Sequence, residues 1–187
     1  MTAKTILKMG NPVLREIAEL VSDPTAPEIT ELVQDMRDSL LAVGGVGLAA
    51  PQIGVSKRLV IFEVPADRAE SEDGAEAEAV PPTVLINPVI EPLTEERKLG
   101  WEGCLSVPGL RGVVPRYTHI RYSGLDLAGN PIEVEAKGFH ARVVQHECDH
   151  LDGILYPERM TNLQYLVYES EVPAFMEGLA AEKSAAE

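Results

Sequence analysis

The stretch Gln145-His146-Glu147-Cys148-Asp149-His150-Leu151-Asp152-Gly153 decides how the rest of the chain is read. It holds two of the four histidines, four residues apart, with a glutamate directly after the first. On a helix, at about 100° per residue, His150 falls roughly 40° from His146 and Glu147 about 100° from it. Two imidazoles one turn apart on one face can chelate a divalent metal. The carboxylate beside them can take a proton from metal-activated water. That is the mechanical content of an HExxH pattern, and it asks the remaining chain for a third ligand.

Glu102-Gly103-Cys104-Leu105-Ser106 offers one. This run follows a strand-like segment and lies in a loop flanked by glycine and proline. A Cys104 thiolate suits Zn2+ or Fe2+, and coordination would hold it deprotonated. Cys148, about 200° from His146 on the helical wheel, points away from the histidine face and is expected to pack. One thiolate and two imidazoles leave a fourth position for water, the pattern of a catalytic rather than a structural metal. Gln145 and Asp149 flank the pair and are expected to orient the ligands. Glu102 reads either as a partner of a ligand or as an acceptor within the ligand loop. Val143 and Phe139, three and seven residues before His146, are expected on the wall beside the metal, with ordinary core packing the alternative for Phe139.

Upstream, Asn11-Pro12 opens a short helix to about Ala18, the asparagine as N-cap. The spacing of Ile29, Leu32, Val33, Met36 and Leu40 predicts a helix from Glu28 that Gly44 closes. Gly45-Val46-Gly47-Leu48-Ala49-Ala50-Pro51-Gln52 then requires backbone at positive φ or in close approach to something. Strands are expected over Arg58 to Val64, Thr83 to Ile90, Thr94 to Trp101, Tyr117 to Leu127 and Pro131 to Lys137. Prolines favour edge positions for the second and third, and Ala128-Gly129-Asn130 turns between the last two. Gly138 leads into the central helix, Phe139 to about Asp152. A last segment, Asn162 to about Leu179, reads as helical but broken or restarted at Pro173. The acidic, alanine-rich Ala66 to Ala79 reads as an exposed loop or a partly disordered insert. The fold class is therefore α+β in a single domain, with antiparallel strands packed around a central HExxH-bearing helix.

The chain has 187 residues, 45% of them hydrophobic and 25% charged, enough for a real core. A net charge of −14 argues against a sequence-independent grip on nucleic acid or on an anionic membrane. No apolar run reaches the ~18 residues a membrane span needs. Met1 to Gly10 has no apolar core of a signal peptide, so the cytoplasm is the expected compartment and the two cysteines, Cys104 and Cys148, are expected reduced.

The three runs Gly45–Gln52, Glu102–Ser106 and Gln145–Gly153 resemble, in order and spacing, the signature motifs of peptide deformylase. The resemblance implies a catalytic domain over residues 1–160 and a C-terminal extension, partly helical, over 161–187. It implies a hydrolase that removes the N-formyl group from the formyl-methionine of nascent polypeptides, releasing formate. The metal would be Fe2+ in a bacterial cytoplasm, with Ni2+, Co2+ or Zn2+ possible, held by Cys104, His146 and His150. Glu147 would be general base and then acid, while the Gln52 amide and the Leu105 N–H would donate to the oxyanion. Gly45, Val46, Gly47 and Gly103 would let a substrate strand approach and pair, and Val143 and Phe139 would line the methionine pocket. Some members dock on the ribosome through a basic C-terminal helix. From Glu158 onward this chain has six acidic residues against Arg159 and Lys183, so that mode of docking is not expected here.

A zinc endopeptidase is the rival reading of HExxH. The metzincin pattern would need a third histidine where Tyr156 stands. A downstream ligand such as Glu169 would leave Cys104 and the Gly45–Gln52 loop unexplained.

Overall fold

The computed structural model describes residues 3–66 and 79–185. The acidic run expected as a loop over residues 66–79 therefore lies outside the described residues apart from its two ends. Proline at the first turn opens α1 (Pro27–Val43), whose Ile29, Leu32, Val33 and Met36 are buried at helical spacing. Gly44, at φ 71°, ends it and returns its N–H to Leu40 O. The Asn11 cap forms as expected, but Pro12–Arg15 makes only a 3-10 turn.

Seven strands precede the next long helix or frame it: β1 (Gly47–Ala49), β2 (Leu59–Val64), β3 (Val80–Pro92), β4 (Arg97–Cys104), β5 (Val107–Tyr117), β6 (His119–Leu125) and β7 (Pro131–Lys137). After them come α2 (Gly138–Leu151), α3 (Tyr156–Arg159), β8 (Val167–Tyr168) and α4 (Val172–Ala185). Five strands form one sheet in the order β1-β2-β3-β6-β7, and β4-β5-β8 form another, with every pairing antiparallel.

The prolines of β3 do not put it at an edge. It is the middle strand of the larger sheet, because its ladder is interrupted where the prolines fall. The register with β6 shifts between Ile86 and Val89, and the register with β2 shifts at Phe62 and Val64, opposite Pro81 and Pro82. Asn87, at φ 52°, forms the first bulge, its side-chain amide exchanging two hydrogen bonds with the Val21 backbone. Pro88 thus sits where no ladder donor is required. Pro173 lies in the first turn of α4 and restarts the helix there rather than breaking it.

Helix α2 packs against strands of both sheets. Its Ala141, Val144, Cys148 and Leu151 enter the main apolar cluster with Val60, Phe62, Leu85 and Ile120. Gln145 fixes its rotation: the amide donates to Tyr117 O and Ala141 O, and the carbonyl accepts from Tyr117 N. With the apolar face locked inward, His146, Glu147 and His150 are aimed at the gap between the sheets.

Candidate metal centre

Three elements meet at the gap. Cys104 closes β4, and Leu105-Ser106 make the tight turn into β5, so the ligand loop is the tip of a hairpin. Cys104, His146 and His150 bring one donor atom each to within 4.8 Å of one another. Cys104 Sγ lies 3.3 Å from His150 Nε2, close to the ~3.5 Å edge of a tetrahedron with a thiolate and an imidazole as corners. Nδ1 of His146 donates to Glu102 Oε2 at 2.9 Å, which leaves Nε2 for a metal. Two imidazoles and a thiolate, one ring already oriented by a carboxylate, fit a borderline-soft divalent ion such as Fe2+ or Zn2+.

Glu102 is the hub of a buried charge network that the sequence only half indicated. Arg116 donates to both its oxygens, at 2.9 and 3.0 Å, and Arg142 Nη1 to Oε1 at 2.8 Å. Arg116 also donates to Asp149 Oδ2 at 2.6 Å, and Asp149 receives Arg159 from the surface side. Burial alone would raise the pKa of Glu102, yet the hydrogen bonds and charges of His146 and Arg116 carry it well below the ordinary carboxylate range. Burial likewise works against charge on Arg116, but Glu102 and Asp149 raise its pKa. Arg116, Arg142 and Arg159 carried no positional signal in the sequence. Nothing in the spacing of Arg116 reveals that a strand 14 residues before it and a helix 33 residues after it supply its partners, Glu102 and Asp149.

Glu147 has a different environment. It is buried, its Oε2 has no hydrogen-bond partner among the described residues, and burial pushes its pKa up to about 7. The charge of His146 opposes that rise and the charge of Glu102 adds to it. A carboxylate so placed exchanges a proton near neutrality, as a general base and acid must. Its closeness to Gly47 brings β1 to the same spot.

Gln52 is held by its carbonyl, which accepts from Ala49 N at 2.8 Å. Its Nε2 then donates to Ser106 Oγ at 3.1 Å and faces Cys104 Sγ at 3.5 Å. Tyr156, at the position where the endopeptidase pattern would want a ligand, stacks on His146 with ring centroids 6.3 Å apart. Burial pushes its phenol up to about 12, so it stays neutral. Glu169 pairs with Arg111 instead of joining the three donors.

A cleft of about 920 Å³ opens over the centre. Gly45, Val46, Gly47, Gln52, Gly103, Leu105, Phe139, Val143, His146 and Glu147 line it, together with Trp101, Arg111, Arg142 and Glu169, which sequence reasoning did not place there. His150 lies beneath, almost wholly buried.

An HExxH helix wedged between antiparallel sheets, with a cysteine thiol beside its two histidines, is the arrangement of a metallohydrolase. A sequence profile of polypeptide deformylase matches residues 3–165. Peptide deformylase 1 of Nitrosomonas europaea is 56% identical over 165 residues, 88% of this chain and 92% of that one. Peptide deformylase 1 of Bordetella pertussis is 58% identical over 163 residues, covering 87% and 90%. Among solved structures, peptide deformylase of Ehrlichia chaffeensis in complex with actinonin aligns with a TM-score of 0.79 at 34% identity, over 88% of this chain and 92% of that one. The Met-Ala-Ser-bound class I type b peptide deformylase of Acinetobacter baumannii aligns with a TM-score of 0.76 at 38% identity, over 85% and 99%. The chain belongs to the polypeptide deformylase family, metal-dependent hydrolases that remove the N-formyl group from nascent polypeptides.

Proposed function

We propose that the chain deformylates formyl-methionyl peptides in the bacterial cytoplasm, with Fe2+ as the resident ion and Glu147 as the proton carrier. The observation that carries this reading is the buried carboxylate of Glu147, unpartnered at Oε2, beside the Cys104–His146–His150 donor set on the floor of an open cleft. A divalent ion held by those three residues supplies Lewis acidity and lowers the pKa of water; Ni2+, Co2+ and Zn2+ suit the same donors. Glu147 takes the proton of the attacking water and later hands one to the departing amine, for which a pKa of about 7 suits it.

As charge develops on the formyl oxygen, the Gln52 amide and the Leu105 N–H are its donors. Gln52 is suited to this because Ala49 fixes which way its amide points. The methionine side chain lies against Val143 and Phe139. The peptide runs beside Gly45–Gly47 and Gly103, next to β1, an edge strand of its sheet. The relative from Acinetobacter baumannii was solved with Met-Ala-Ser, the peptide that deformylation of formyl-Met-Ala-Ser would leave. Residues 1–160 carry this chemistry. From Glu158 to Glu187 acidic residues outnumber basic ones, which disfavours docking on the ribosome through this segment. Among the described residues no helix is long and apolar enough to cross a membrane.

The test is formate release from formyl-Met-Ala-Ser by anaerobically purified, Fe2+-loaded protein beside its Glu147→Ala variant. Turnover that needs both metal and Glu147 supports the reading. Folded, metal-replete protein without turnover sinks it.

A further inference from the structure

We propose that Glu169 determines specificity for the charge of substrate residues beyond the methionine, by pinning and neutralising Arg111 on the wall of the cleft. The inference rests on the deformylase reading of the site. Glu169 lies past residue 165, where the family profile ends, and reaches the cleft because the C-terminal segment folds back onto the ligand hairpin. Strand β8 pairs with β5, Val167 opposite Arg111 and Tyr168 opposite Leu110. Phe175 of α4 then anchors the segment edge-on against Trp101 of β4 and against Tyr165, with centroids 6.1 and 5.7 Å apart. The residue after Tyr168 is thereby delivered to Arg111.

Both Arg111 contacts fall on one oxygen of Glu169: Nε at 3.0 Å, and Nη2 closer still. The guanidinium so held lies against Gly103, where a β-carbon would stand 2.8 Å from Arg111 Cζ. Gly103 immediately precedes the ligand Cys104, so the arginine forms the wall over which a bound peptide must pass. The other charges of the cleft do not compete for this role. Arg142 is turned into Glu102 and the Lys98 and Val114 carbonyls, while Glu102 and Glu147 are buried. With Glu169 in place, Arg111 is balanced and Lys8 remains at the rim. Without it, two cations face the peptide.

The pair is half exposed, 42% for Arg111 and 57% for Glu169, so a substrate side chain can reach it. An acidic side chain must displace Glu169 to meet Arg111, whereas a basic one is met by Glu169 directly. Selection of this kind is electrostatic, modest in size and weakened by salt.

The experiment compares kcat/KM for two peptide series, formyl-Met-Xaa-Ser and formyl-Met-Ala-Xaa, with Xaa Asp, Ser or Lys. The proteins are the wild type, Glu169→Gln, Arg111→Gln and the double variant, at low and high salt. In Glu169→Gln the Asp-to-Lys ratio should rise by roughly threefold or more in one series, and fall back at high salt. In the Arg111→Gln background the same change should move the Asp-to-Lys ratio less, because only the direct contact of Glu169 with a basic side chain is lost; an equal rise in both backgrounds would overturn the role of Arg111. An unchanged ratio, or an equal loss for all three peptides, overturns the inference and marks Glu169 as merely structural. Wild-type protein that releases no formate from any peptide overturns the deformylase reading as well, so the two failures are told apart.

Discussion

The carboxylate of Glu147 occupies the space that a side chain at residue 47 would need: a β-carbon on Gly47 would stand 2.6 Å from Glu147 Cδ and 2.8 Å from its Cγ. Gly47 is therefore required by close approach rather than by its backbone angle. Gly47→Ala should push the carboxylate aside and lower kcat/KM for formate release by about 100-fold, with metal content kept. Gly45→Ala should be milder, because its β-carbon meets the end of a flexible Leu40 side chain at 3.0 Å. Kinetics with metal analysis of both variants decides. Full activity in Gly47→Ala would falsify the placement of Glu147.

Cys104→Ser should abolish metal binding, since a hydroxyl is not ionised at neutral pH and two imidazoles remain alone. Stoichiometric metal in that variant would overturn Cys104 as a ligand. Cys148→Ser is the contrast. That thiol is buried in the main core and its burial raises its pKa, so serine there should cost about 1–3 kcal/mol of stability and leave the metal in place. Metal analysis and urea unfolding measure the two effects separately.

The part of the site that obeys local rules was legible in the sequence. The shared face of His146 and His150 follows from helical spacing and the end of α1 from Gly44, whereas Gln52 was singled out only by the family resemblance. Strand β5 was not legible, because Pro108, Gly109, Gly112 and Pro115 obscure its alternation, although pairing with β4 makes Val107–Tyr117 a strand. The middle position of β3 was hidden in the same way, by prolines whose bulges only the partner strands reveal. Arg116 and Arg142 are charged residues in unremarkable contexts. Their role exists only once β5 and α2 bring them to Glu102.

Glu102→Ala should be among the most damaging single changes. It leaves Arg116, nearly wholly buried, and Arg142 without their carboxylate, for a loss of about 3–5 kcal/mol. It also releases Nδ1 of His146, which should weaken metal affinity by roughly 10- to 100-fold. Glu102→Gln keeps an acceptor and should fall between the two. Urea unfolding of chelated protein reports the first effect, and metal competition at a pH where the variant is folded reports the second. Loss of stability with unchanged affinity would remove the orienting role and leave only the structural one.

His140 gives the fold a dependence on pH separate from the metal ligands. Its ring lies between Phe62 and Tyr122, with centroids 6.0 and 5.5 Å away, and its Nε2 is buried without a partner among the described residues. Burial pushes its pKa from 6.5 down to about 4. The unfolded chain therefore binds this proton first as pH falls. Stability from the neutral ring is complete above pH 6.5, is lost progressively toward pH 4, and is flat below. Allowing for partial solvent access, the loss should reach about 1–2 kcal/mol. His140→Phe removes the proton while keeping an aromatic ring in the cluster. Its unfolding free energy relative to wild type should thus rise by that amount between pH 7.5 and pH 4. Every other ionisable group is common to the two proteins and cancels in the difference. A difference that does not change with pH would mean that the folded protein solvates His140 well enough to protonate it normally.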